Sequence, residues 1–576
     1  MKIVASAYEN GDHACLIWFP ADFQPIAGCR GFAIERTTNG TKKEYVRNFT
    51  GFSDTDTAPP AGQEWKWPIQ RYLWWDYFVK VGDKVSYRVI PVTGSAASGS
   101  LQLDMASASA PTTQILISGQ VSPHMSAYFN KGIIATQWVT RELQQEAGKA
   151  PPRTKLLEII TKPGNPLRDA LSGLARIELL DTLQTALKNG STIYAALYEL
   201  NDPELVGMLT KFKKRANVIL ANGAFNPKKP DENKAVRAKL KKVINVKNRM
   251  VSSGHFAHNK FLVVCDKTGK NASTVLTGST NWTVTGLCTQ ANNALIINDP
   301  KIAQAYRDEW DRIAAAGNVF PPALKTANSQ KKSFALDNSN VTVWFVPTTA
   351  QQDMIDARAK IAAAQDGVLF LFFNPGTLQQ NKANWTLLQA IDNLDASKLY
   401  IRGVVNQTIK GLTEGQEAPT KGAQHPVSVV TGGNKEHLTK DVLVPAAIKE
   451  KYGHWEKELL SVGVMVHSKV VVIDPFGKHP VLITGSHNLG PKASRANDDN
   501  MVIVEGPGAR GLAISYAVNI IAIYQEYRWR SYVAQHQTDQ TAFRHLQDDD
   551  QWQQGHLTNE RGEMEFWMGK ASATKA

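Results

Sequence analysis

The chain has 576 residues, 43% hydrophobic and 20% charged, with 41 glycines and 27 prolines. That balance excludes a collagen-like, coiled-coil or wholly disordered polypeptide. The length leaves room for about three to five domain-sized units with cores large enough to need no covalent staples. The formal net charge of +13 draws the protein toward polyanions: nucleic acid, an anionic lipid surface or a phosphorylated substrate.

The four cysteines, Cys15, Cys29, Cys265 and Cys288, form no CxxC pair. A zinc ribbon, a zinc finger and a disulfide-rich scaffold are therefore disfavoured, and a reduced interior is expected. Polar residues interrupt the opening MKIVASAYENGDHAC before an apolar leader core forms, and no stretch of about 18 apolar residues follows. The expectation is a cytoplasmic protein without a Sec leader or a transmembrane helix, exported, if at all, by a non-Sec route.

Residues 1–105 carry short alternating runs such as Gly31–Glu35 and Lys84–Val92, separated by turn signals at Asn39-Gly40 and Val81-Gly82-Asp83. Period-2 alternation with frequent turns predicts an all-β sandwich, and the pattern resembles a fibronectin type III or immunoglobulin-like module. Trp65, Trp67, Trp74 and Trp75 in this region serve either core packing or an aromatic docking surface. Residues 106–114 read as a linker.

From residue 115 onward strands and helices alternate, which predicts a layered α/β fold. Strands are expected at Ser191–Tyr198, Val218–Leu220, Phe261–Val264 and Thr274–Leu276, and a helix at Asp202–Arg215. A second polar stretch, Pro321–Asn340, reads as another linker. Beyond it, Val368–Phe373, Leu399–Val405 and Val470–Ile473 are strand candidates, and Ala446–Leu460 is a helix candidate. The reading gives a first α/β lobe at 115–325, a second at 326–542, and a tail at 543–576 that is loosely ordered, at least at its last few residues.

One constellation occurs twice. His258-Asn259-Lys260 opens the apolar run FLVV, followed by Cys265-Asp266 and then Gly278-Ser279-Thr280-Asn281. His467-Ser468-Lys469 opens VVVI, followed by Asp474 and then Gly485-Ser486-His487-Asn488. Alternate residues of a strand face the same way, so each His and its Lys point into one site. Two lobes built alike and set face to face bring two imidazoles, two ammonium groups and two amides to one cleft. Histidine supplies a nucleophile or a general acid, and lysine and asparagine supply donors for phosphate oxygens. That set suits attack on a phosphodiester without a metal or another cofactor.

Two HxK elements, each with an Asp beyond the apolar run and a GSxN, resemble the phospholipase D superfamily over roughly residues 115–540. The second copy matches HxKxxxxD position by position. In the first, Asp266 stands one residue late, behind Cys265, so a bulge is expected there. The resemblance implies two pseudo-repeated α/β/α lobes around one active-site cleft that a monomer completes by itself. It also implies that His258 attacks phosphorus to give a phosphohistidine, while His467 protonates the leaving group and then activates water or an alcohol. Lys260, Lys469, Asn281 and Asn488 would hold the phosphate oxygens, Ser279 and Ser486 would shape the loops, and Asp266 and Asp474 would support them. The acidic residue that orients an imidazole in such proteins has a candidate in Asp499. The first copy offers only an amide, Asn292, at the matching place, so the two histidines are expected to differ in protonation.

Several branches of the family fit less well. Phospholipid synthases carry membrane spans, tyrosyl-DNA phosphodiesterases lack the Asp, and the smallest nucleases carry one motif per chain. The segment Lys228–Arg249 holds nine basic residues against two acidic ones, which suits a phosphate-backbone track or an anionic-lipid patch. Phospholipase D activity on glycerophospholipids is the leading expectation, compatible with a toxin role. A nuclease is the alternative, and an inactive binding protein with the same fold a further one.

Overall fold

The computed structural model describes residues 2–53, 55–133, 153–223, 230–395, 398–406, 440–443, 465–535 and 545–569. The helix expected at Ala446–Leu460 lies outside them, as do Lys228 and Lys229.

The central strands are apolar on both faces, as expected of strands covered by helices on either side. KFLVVC at Lys260–Cys265 and KVVVI at Lys469–Ile473 are buried at every position. Among the described residues, seven strands form the first sheet, in the spatial order Asn245–Arg249, Ala216–Ala221, Thr192–Leu197, Lys260–Cys265, Ala272–Gly278, Asn293–Ile297 and Met125–Phe129. In the second sheet the order runs Lys440–Leu443, Tyr400–Val405, Gly367–Phe372, Lys469–Ile473, Val481–Gly485, Asn497–Glu505, Ser339–Val346 and Lys332–Leu336. In each, the first three strands are parallel, and the HxK strand then pairs antiparallel with the third.

A helix follows the last motif strand in each half. Asp299 caps Pro300–Ala316 by accepting from the Ile302 N–H, Pro300 fills the first turn, and Gly317 at φ 63° ends it. Arg510–Gln535 is the counterpart in the second half. Each sends a tyrosine to the junction between the sheets. Tyr306 and Thr277 both donate to Asn500 Oδ1, at 3.0 and 2.7 Å. Asn293 Nδ2 donates to Tyr516 at 2.8 Å and to Thr484 at 3.1 Å. These four bonds join the two halves, so separating the halves would leave Asn500 Oδ1 and Asn293 Nδ2 without these partners.

The N-terminal region is built of strands, in a three-stranded sheet (Ile3–Glu9, Ala14–Pro20, Leu73–Asp76) and a five-stranded sheet centred on Phe32–Thr38 and Lys84–Thr93. Trp18, Phe32, Tyr72 and Tyr87 are fully buried in it. Trp74 and Trp75 are partly buried against the same core, and Trp65 against a smaller cluster. The large exposed aromatics of the region include Phe49 and Phe78.

Two expectations are corrected. Pro321–Asn340 is no linker: it holds the helix Pro322–Asn328 and the strand Lys332–Leu336, which pairs with Ser339–Val346. Its polar residues alternate along an edge strand, where one face meets water. Residues 545–569 of the tail are also not loose, while its last residues, 570–576, lie outside the described residues. Its helices Trp552–Asn559 and Arg561–Trp567 strap the N-terminal region to the second sheet. Trp552 stacks on Tyr72 and donates to the Cys29 carbonyl. Phe566 stacks on Tyr400, and Trp567 packs on Tyr8 and Phe476. Apolar anchors spaced among charged residues hid this segment from a composition-based reading.

Candidate active site

The site lies where the two halves meet. The dipeptide before each histidine forms a short parallel bridge with the other half: Phe256–Ala257 with Asn497–Asp498, and Met465–Val466 with Gln290–Ala291. The bridges continue into His258, whose N–H donates to the Asp498 carbonyl at 2.8 Å, and His467, whose N–H donates to the Ala291 carbonyl at 3.0 Å. Each histidine therefore meets the orienting group of the opposite half. His258 Nδ1 is 2.8 Å from Asp499 Oδ1, and His467 Nδ1 is 2.9 Å from Asn292 Oδ1. Both oxygens only accept, so each Nδ1 carries the proton and each Nε2 is left for chemistry.

The serines hold these orienting groups. Ser279 donates to Asn292 Oδ1 at 2.8 Å, and Ser486 to Asp499 Oδ1 at 2.7 Å. Asn292 Nδ2 donates to the Gly286 carbonyl at 2.8 Å, which fixes the amide with its oxygen toward His467. The preceding glycines are required by close backbone approach. Gly278 and Gly485 sit at φ 143° and 139°, and a Cβ on either would lie 2.3 Å from a carbonyl oxygen, of Asn293 or Asn500.

The lysines are buried beside the histidines. Lys260 Nζ donates to the His258 carbonyl at 2.6 Å, and Lys469 Nζ makes the matching bond to the His467 carbonyl. An aromatic ring backs each pair. Tyr198 lies 4.7 Å from the His258 ring and 4.9 Å from Lys260 Nζ, and Phe373 lies 4.7 Å from the His467 ring and 4.7 Å from Lys469 Nζ. Both rings stand just past the strand that pairs with the HxK strand. The sequence reading missed them because each looks like one more apolar residue of its run, and the spacing to the histidine differs between halves.

Burial governs the electrostatics. It pushes His258 down to about 4 against the pull of Asp499, and Lys260 down to about 7 against Asp499 and Glu199. Burial also lowers His467 and Lys469 well below their ordinary values, and the neighbouring lysines add to it. Asp499 feels burial upward, but His258 and Lys260 outweigh it and hold the carboxyl below the usual range. The site thus gathers buried basic groups whose protonated forms burial disfavours, and an arriving anion would restore those forms.

Asn281 and Asn488 each keep a side-chain oxygen with no hydrogen-bond partner. Asn281 Nδ2 donates to Glu199 Oε2 at 3.0 Å, a carboxylate the sequence reading did not single out. Arg249 was counted with a basic surface but is buried, and it forks onto Asp498 at 2.7 and 3.0 Å, beside the bridge that seats His258.

The two aspartates of the motifs lie away from the histidines and differ from each other. Asp474 accepts from the N–H groups of Gln365, Asp366 and Gly367 at 2.7–2.9 Å, pinning the start of the strand Gly367–Phe372. Asp266 does not do this, which corrects its expected role. The register shifts between Val264 and Cys265, so its side chain curls into its own turn, onto Thr268 and Asn271, half-buried.

The basic segment also divides. Arg237 is internal, tied to Asp231 and the carbonyls of Leu220 and Ala221, while Lys234, Lys239, Lys241, Lys242 and Lys247 are exposed. Lys241 and Lys242 precede Asn245–Arg249, which runs parallel to Thr192–Leu197. They therefore stand at the sheet end opposite the histidines, roughly 15–20 Å away by strand length.

A paired-histidine centre of this construction gathers the groups that attack on a phosphodiester calls for. A family model described as "Cardiolipin synthase, PLD-like domain" matches residues 179–314 and 359–520, more than half of the chain. The chain belongs to the phospholipase D superfamily, a family of phosphodiesterases. It is 40% identical over 75 residues to a mitochondrial cardiolipin hydrolase of Xenopus laevis, 12% of this chain and 32% of that one. The same-named protein of Xenopus tropicalis is 44% identical over 62 residues, 11% of this chain and 26% of that one. The chain thus spans about a third or less of these relatives' length. It is also similar to the solved phosphatidylserine synthase of Haemophilus influenzae Rd KW20, at 12% identity and TM-score 0.40, covering 63% of this chain and 90% of that one. Among the described residues, no helix is long and apolar enough to cross a membrane.

Proposed function

We propose that the protein is a phospholipase D: a phosphodiesterase that cleaves glycerophospholipids at the headgroup side through a phosphohistidine, needing no metal. The carrying observation is the pairing of two HxK elements so that each Nε2 is left free by an Nδ1 contact from the opposite half. His258 Nε2 attacks phosphorus, forming a P–N bond as the P–O bond to the leaving group breaks. His467, charged once the phosphate is bound, gives its Nε2 proton to the leaving oxygen. It then takes a proton from water or an alcohol, whose oxygen displaces His258. Lys260, Lys469, Asn281 and Asn488 hold the non-bridging oxygens and stabilise the charge that develops.

We read the two sheets as lobes of one repeated α/β/α unit, at 115–325 and 326–542, which lets one chain complete the cleft. The N-terminal 1–105 is read as an immunoglobulin- or fibronectin III-like sandwich that presents substrate. The cardiolipin hydrolases matched in part support a phospholipid substrate. A nuclease is the second reading, favoured by the exposed lysines Lys234–Lys247, although Lys241 and Lys242 stand at the end of the sheet away from the histidines. The intact pair of HxK and GSxN elements argues against an inactive binding protein.

The test is one parallel assay in excess EDTA. Wild type and His467→Ala receive phosphatidylcholine or cardiolipin vesicles in one tube and plasmid or single-stranded DNA in another. Headgroup release with intact DNA, lost in the variant, is the expected result. Degraded DNA with intact lipid would make the protein a nuclease. Activity that survives the mutation, or that EDTA abolishes, would overturn the two-histidine mechanism.

A further inference from the structure

Two carboxylates act on the paired lysines. Asp499 is committed to His258, Ser486 and Asn497. Glu199 is used by no step of the mechanism. It lies just past the strand Thr192–Leu197, partly buried, next to the Tyr198 ring that backs His258. Its backbone carbonyl accepts from the Trp282 N–H at 3.2 Å and its carboxylate from Asn281 Nδ2 at 3.0 Å, so it grips the GSxN loop twice. It interacts electrostatically with both Lys260 and Lys469. The matching position of the other half carries no charge. The residue past Phe373 is Asn374, whose Oδ1 is turned into its own loop to accept from Gly376 N–H at 3.1 Å.

Asn281 has two amide hydrogens, and Glu199 takes one. The second remains for a ligand oxygen, so Glu199 stands one amide away from any bound phosphate. A carboxylate there opposes an incoming anion in proportion to the anion's charge. The reaction changes that charge: a diester carries one negative charge, and the monoester it leaves carries close to two at pH 8.

We propose that Glu199 is a specificity-determining residue that sets the charge of the anion the site retains, favouring the singly charged phosphodiester and expelling the doubly charged monoester product. The inference rests on the phosphodiester reading above and deepens it.

The test is calorimetric binding at pH 8 and fixed ionic strength, with dimethyl phosphate as the diester probe and inorganic phosphate as the dianion. Glu199→Gln keeps an oxygen to accept from Asn281 but removes the charge. It is expected to tighten the diester about tenfold and phosphate by about the square of that factor, on the order of a hundredfold. Glu199→Asp is expected to keep wild-type selectivity. Equal changes for the two anions, or none, would overturn the inference while leaving the phosphodiesterase reading intact. A wild type that binds neither anion and cleaves no diester would overturn both. Should Glu199→Gln fail to fold, Asn374→Glu puts a carboxylate at the matching position of the other half. It must shift selectivity further toward the diester, and an unchanged ratio would count against the proposal.

Discussion

The two halves of the site are alike in their bonds and unlike in their charges. Each sets a histidine on an orienting oxygen from across the junction, each braces that oxygen with the GSxN serine, and each backs its lysine with an aromatic ring. Yet His258 faces a carboxylate and His467 an amide. A carboxylate stabilises an imidazolium and an amide does so much less, so equivalent positions are biased toward different jobs. The same asymmetry recurs beside the bridges, where Arg249 and Asp498 make a buried ion pair and the matching residue of the other half is Ala291.

The largest expected effects break the comparison outright. His258→Ala and His467→Ala should each lower kcat by about 10³-fold or more on a phospholipid. They should separate on a substrate with a good leaving group such as p-nitrophenol, which needs no proton. His467→Ala should recover much of its first step there, and His258→Ala none. Equal recovery in the two variants would erase the assigned roles.

Arg249→Met should cost roughly 3–5 kcal/mol, because it leaves Asp498 buried and uncompensated. Thermal unfolding would register this as a large fall in Tm. No charge pair of this kind supports the matching bridge, so Ala291→Ser, as its counterpart, should move Tm far less.

Asp499→Asn turns the first half into a likeness of the second. It should lower kcat by about 10²-fold. The carboxylate favours protonated His258, so its loss lowers that pKa further, and the nucleophile must be neutral. The acid limb of kcat/KM should therefore move to lower pH. A profile matching wild type on both limbs would end the idea that the two orienting groups differ in function. The smallest effects sharpen the contrast between the aspartates. Asp474→Ala should cost about 1–3 kcal/mol through three unsatisfied N–H groups. Asp266→Ala removes only bonds within its own turn, so it should lower Tm less than Asp474→Ala and leave activity unchanged.

Much of the site was legible because the chemistry is carried by side chains that no core needs. His, Lys, Ser and Asn in a fixed order around apolar strands add nothing to packing, and their repetition in a second copy points to one shared chemical task. The late Asp266 announced the register shift now seen between Val264 and Cys265. Pro321–Asn340 and residues 545–569 of the tail were misread because composition measures average polarity. An edge strand and a pair of short helices owe their order to a few well-placed apolar residues such as Leu336, Trp552 and Trp567. Glu199 was passed over because a lone charged residue at a strand end looks like surface, and Arg249 was misplaced because it closes a run of basic residues that are mostly exposed.

By itself the sequence determined the reacting groups, their alternation on two strands and the inequality between Asp499 and Asn292. Tertiary structure decided which group serves which histidine. Asp499 is 241 residues from His258, and Asn292 is 175 from His467. Each orienting oxygen arrives through a two-residue parallel bridge from the opposite half, and spacing along one chain carries no record of such a crossing. The charge balance of the cleft was likewise set there, because burial and the meeting of two lysines with two carboxylates exist only once the halves have closed on each other.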